Sequence, residues 1–131
     1  MNPVTPAARA AARLLEEKGA LARAITDAMY VERPALGERY GARGRARCLE
    51  DMHFTLEHLI PAVDLGEPAL FVSYARWLDG LLQARNVDAD DVRLSLTTTA
   101  RLVGERLPPD EAEAVVAVVR AGLVVLVGGS R

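Results

Sequence analysis

Four side chains able to do chemistry crowd into one short stretch, RARCLEDMHFTLEH at residues 45–58: Cys48, Asp51, His53 and His58. A thiol can attack an electrophile or anchor a ligand, a carboxylate can accept hydrogen bonds and balance a positive charge, and histidines can hold metal. Spacing decides which of these can act together. On a helix advancing roughly 100° per residue, Met52, Thr55, Leu59 and Ala62 fall within about 40° of Cys48, and Asp51 about 60° away. Cys48 and Asp51 are therefore neighbours on the flank of an apolar stripe, which Leu49, Leu56 and Ile60 widen on its other side. Glu50 and Glu57 point the opposite way, to solvent. His53 and His58 are separated by roughly 140° around the same axis, so a regular helix does not let them hold one metal ion, and neither faces the thiol as a base. With no nucleophile–base pair and no metal-ligand cluster, the stretch reads as a binding surface and the chain as a non-enzyme. The plain structural reading of these residues is a small buried thiol, an edge acid paired with an arginine, and two surface histidines.

The elements that carry this stretch are helical throughout, since no segment alternates with a period of two. Thr5 or Pro6 opens a first helix with Leu14, Leu15, Leu21 and Ile25 as its apolar members, and Gly19 as a place where it bends or breaks. Its pattern stops near Tyr30, because Pro34 disfavours helix at Arg33. GERYGARGR, residues 37–45, reads as a loop by its three glycines. It has no preceding strand and no phosphate-loop pattern. A second helix follows from about Arg45 to Leu65, with a kink expected at Pro61 and a stop at Gly66. Glu67-Pro68 opens the next, which carries Leu70, Phe71, Tyr74, Trp77, Leu78, Leu81 and Leu82, and Asn86 fits its left-handed end. Asp88 or Asp90 caps a helix through Leu107, and PPDEAEA starts the last one with acids against the positive end of its dipole. That helix is apolar on nearly every side, at Val115, Val116, Val118, Val119 and residues 123–126. It is expected to lie buried among the others, which suits a globin-like all-α arrangement better than an up-down bundle.

The chain has 131 residues, half of them hydrophobic, which suits a single domain over residues 1–131 with one core. A net charge of -2 gives no general field for nucleic acid or an acidic membrane. All but Lys18 of the 16 basic residues are Arg. One cysteine excludes an intramolecular disulfide. The first residues lack the apolar core of a signal peptide, and the longest apolar run, residues 114–127, falls short of the roughly 20 residues of a bilayer span. A soluble cytoplasmic protein is expected.

Read in order, AMYVERP, a glycine-rich segment, RARCLEDMHFTLEHLIPAVDLGEPALFVSYARWL, then RNVDADDVRLSLTTTARLV and AGL at residues 121–123 resemble the phycobiliprotein family, the bilin-carrying relatives of globins. The resemblance covers about residues 24–126. It implies a globin-like, phycobiliprotein-like helical fold and a bilin, a linear tetrapyrrole such as phycocyanobilin or biliverdin, as chromophore. In it Cys48 matches the attachment cysteine and Asp51 the acid that accepts hydrogen bonds from the pyrrole N–H groups. Leu56, Ala62 and Gly66 keep the family spacing, Phe54 stands where the family often has Tyr, and Tyr74 falls on an aromatic pocket wall. Met52 shares the face of Cys48. The chain departs from the family at Glu50, where an Arg usually pairs with a propionate; Arg47 or Arg45 would substitute. Thr55 replaces a second aromatic, and the N-terminus is too short for the helical hairpin through which the family assembles, so a free-standing bilin-binding globin is expected, as a pigment or bilin carrier. Phe71, Tyr74 and Trp77 would hold the bilin extended, and Arg45 and Arg47 would favour the Cys48 thiolate. The alternative is a cofactor-free globin-like signalling or interaction module, with a homodimer as its assembly. A haem sensor is disfavoured, since the helix of residues 68–85 offers no histidine.

Overall fold

Five α-helices order the described residues, 4–127, in a computed structural model: α1 (Pro6–Glu32), α2 (Ala35–Leu65), α3 (Pro68–Ala84), α4 (Ala89–Arg106) and α5 (Pro109–Val127), with no strand among them. The all-α expectation holds. The Thr5 side chain caps α1 by accepting from the Ala8 N–H at 3.0 Å, and Pro6 occupies a first-turn position where its missing donor costs nothing. Ala10, Leu14, Leu21 and Ile25 then bury one stripe of α1. Leu15 is 63% exposed, outside that stripe, and Gly19 leaves the helix unbroken.

The largest difference from expectation lies at residues 37–45. They form helix, as the opening of α2, and the glycines confine the irregularity to one residue, Gly41, at φ 67° and ψ -170°. An L side chain is strained there, and that is why the chain can turn sharply without leaving the helix for long. Gly44 serves the same turn by closeness, since a β-carbon there would strike the β-carbon of Tyr40. The backbone keeps helical dihedrals through Pro61, so the break in α2 falls at Gly41 and not at the proline. The other boundaries fall where local chemistry puts them. Gly66 (φ 64°) and Asn86 (φ 63°) are left-handed ends of α2 and α3, and Asp88 caps α4 by accepting from the Asp90 N–H at 2.8 Å.

In the packing, α1 lies along α2, while α5 packs chiefly on α3 and α4 and also touches α1 and α2. Val115, Val118, Val119 and Leu126 bury the inner face of α5. Its other side is open to solvent at Glu113, Ala117, Arg120 and Val124, so the helix is central without being enclosed. Gly122 brings α5 onto α3: a β-carbon there would lie 2.8 Å from the fully buried Phe71 ring. Two nearly buried carboxylates pin the helix ends. Glu111 accepts from Arg13 at 2.5 Å and from Arg9 at 3.5 Å, joining α1 to the start of α5. Asp91 accepts from Arg33 at 2.7 Å, Arg39 at 2.9 Å and the Tyr40 hydroxyl at 2.7 Å, joining the end of α1 and the opening of α2 to the start of α4.

Candidate functional site

Cys48 and Asp51 open into one cavity of about 250 Å³. Its walls come from four helices. Met29 and Tyr30 end α1; Leu36, Tyr40 and Met52 come from α2; Leu78 and Leu82 from α3; Val92 and Ser95 from α4. The apolar members of this set belong to the buried core, so the interior of the cavity is greasy. Three arginines, Arg43, Arg47 and Arg85, stand at its exposed rim, and none makes an ion pair among the described residues. Of the residues named from sequence, Cys48, Asp51, Arg47, Met52 and Thr55 line this space.

The remaining three do not. Phe54 and Trp77 are 51% and 58% exposed and border a separate outer groove with His58, Leu70 and Ser73. They cannot clamp a ligand held beside Cys48. The reason is angular: Phe54 lies on the far side of α2 from the Cys48 stripe, and Trp77 belongs to the solvent face of α3 next to the buried Leu78. Tyr74 divides the two hollows. Its ring stacks on His58 in the outer groove, with centroids 4.3 Å apart, while its hydroxyl shares a 2.9 Å hydrogen bond with Thr55 on the inner wall. Burial pushes that phenol up to about 12. Phe71 is fully buried core under Gly122, apart from either hollow.

Electrostatics at the thiol run against the expected thiolate. Burial, then the neighbouring Asp51 charge, push Cys48 up to about 11, while the nearby Thr26 hydroxyl and the Arg45 charge pull more weakly the other way. Arg45 is spent elsewhere, 2.5 Å from Asp27 and over the Tyr30 ring. The Cys48 sulfur approaches the Met29 sulfur at 3.9 Å. Burial also raises the Asp51 carboxyl, with Arg85 and Arg47 opposing it. Asp51 is thus a partly desolvated acid between two cations, a group suited to accepting N–H donors from a bound molecule.

Sequence reasoning missed Arg43, Arg85, Tyr30, Tyr40 and Asp91 as parts of this site. Arg43 and Tyr40 sat inside the segment read as loop, and Arg85 beside the Asn86 helix stop carried no periodic signal. No group of histidine, cysteine and acidic residues among the described residues is arranged to hold a metal. No described helix is long and apolar enough to cross a membrane. Comparison with protein families, with curated proteins and with solved structures finds no match for this chain.

Proposed function

We propose that the protein is a bilin-binding domain of globin-like type, in which a linear tetrapyrrole places part of its conjugated system in the cavity beside Cys48 and Asp51. The observation that carries the reading is that this thiol and this carboxylate, whose spacing resembles the family's Cys-x-x-Asp, share one apolar cavity whose rim bears three arginines without ion pairs among the described residues. Asp51 would accept the pyrrole N–H donors, and Arg47, Arg43 and Arg85 would take the propionates. Met52, Leu78 and Leu82 would line the rings, and Cys48 is the one side chain able to form a thioether. The bilin supplies extended conjugation, hence colour, and the protein supplies rigidity and a counter-charge. Chemically the donor set suits the group; in size the cavity suits only part of it. Ligand sites for drug-sized molecules span about 300–1,000 Å³, so at about 250 Å³ the rest of the molecule would lie along the arginine rim. The raised pKa of Cys48 favours non-covalent binding at neutral pH, with attachment slow.

The test is an absorption spectrum after incubation with biliverdin and with phycocyanobilin. Binding gives a sharpened, shifted long-wavelength band that weakens in Asp51→Asn; pigment surviving acid-urea in the wild type and lost in Cys48→Ala marks a thioether. No spectral change with either bilin removes the proposal.

A second reading, the cofactor-free interaction module, is favoured by the outer groove, where Phe54, Leu70 and Trp77 leave apolar surface open to solvent. Under it the inner cavity is structural and the groove is the working surface.

A further inference from the structure

We propose that residues 35–40 form a hinged flap over the cavity, held shut by Asp91, and that a molecule reaches Cys48 by displacing this flap. The inference takes the cavity as a binding site, as above, and adds how that site is closed. The hinge is Gly41, whose dihedrals separate the first turn and a half of α2 from the remainder. This stretch has no side-chain cap at its start, so its own ends do little to hold it. Two of its side chains, Leu36 and Tyr40, wall the cavity, and Leu36 is buried against the core.

The fastening is one carboxylate. Asp91, 4% exposed, accepts from Arg39 and Tyr40 on the flap and from Arg33 just before it. The Tyr40 hydroxyl in turn accepts from the Asp88 N–H at 3.1 Å, at the first turn of α4. A latch built on one buried acid fails as a unit when that acid loses its charge, because two guanidinium groups and a hydroxyl then lose their shared acceptor. Swinging the flap about Gly41 would remove the Leu36 and Tyr40 walls and enlarge the space beside Cys48, so that more of a tetrapyrrole could enter than the closed flap admits.

Cys48 is the chain's sole cysteine, is half-buried, and lines the cavity that Leu36 and Tyr40 wall, so a change in its reactivity reports opening without any pigment. The experiment measures the rate at which 5,5′-dithiobis(2-nitrobenzoate), a bulky two-ring disulfide, modifies Cys48 in the folded protein at pH 8. Wild type, Asp91→Asn, Tyr40→Phe, Gly41→Ala and Glu111→Gln are compared, each with its global stability from urea unfolding. Glu111→Gln removes an equally buried carboxylate with two arginine partners at the far end of α1. If the flap is the route, Asp91→Asn accelerates modification by at least about tenfold over Glu111→Gln at matched global stability, Tyr40→Phe and Gly41→Ala accelerate it less, and the wild-type rate is flat in low urea. The proposal is overturned if the wild-type rate tracks global unfolding, or if Asp91→Asn and Glu111→Gln accelerate alike. Should Asp91→Asn fail to fold, Tyr40→Phe, which deletes one hydroxyl, decides by the same comparison. Because no bilin is used, a colourless protein with a working flap and a pigmented protein without one are separate outcomes.

Discussion

Cys48 and Asp51 show how far a single pair of residues can be read from a string of letters. Their spacing of three placed them side by side on one flank, and they do share a cavity. Their protonation was not legible, because it depends on how deep the flank lies and on which arginines are already engaged. Arg45, near in sequence, is turned to Asp27, and the thiol is left with burial and an acid as its dominant neighbours. The consequence is a pH dependence with a definite sign. A thiol raised from its ordinary 9.0 to about 11 stays protonated in the fold after it would ionise in the unfolded chain. The stability this contributes, at most about 2–3 kcal/mol, is fully present below pH 9 and disappears as pH rises to 11. Iodoacetamide alkylation of the native protein should therefore keep accelerating with pH past 9, while the urea-unfolded chain levels off there; Cys48→Ala should flatten the loss of stability between those pH values. A native alkylation profile that levels at or below pH 9 would contradict the burial argument.

At the scale of helices, capping residues were readable and long-range fastening was not. Thr5, Gly66, Asn86 and Asp88 sit at the boundaries their chemistry favours. Residues 37–45, read as loop from their glycines, are helix because Leu36 is buried and Asp91, distant in sequence, fastens Arg39 and Tyr40. No local pattern contains that information. Pro61 misled in the opposite direction: it lies on the exposed side of α2, where its ring meets solvent and the helix carries on. Gly122 was likewise invisible as a packing residue, yet it sets how closely α5 approaches α3. Gly122→Ala should push its new methyl into the Phe71 ring, 2.8 Å from the added carbon. A loss of about 1–3 kcal/mol in urea unfolding is expected, the usual range for overpacking a core. An unchanged midpoint would mean that the two helices have slack between them.

For the molecule as a whole, the all-helical class was legible from periodicity, whereas the division of its aromatic residues between an inner cavity and an outer groove was not. Trp77 and Phe54 were expected around the ligand and stand outside, and the choice between the two functional readings turns on that separation. If the groove is a working surface for a second copy of the chain, sedimentation velocity should show a dimer at micromolar concentration, and Trp77→Ser should return it to monomer without changing Cys48 reactivity. A wild type that sediments as monomer across that range removes this form of the second reading.

Trp77 is also the chain's single indole, and it is 58% exposed in the native fold. Its emission is therefore already close to that of a solvated chromophore, and denaturation should scarcely move the maximum while the helical signal collapses. The useful optical signal runs the other way: a blue shift under native conditions would report something settling over the groove.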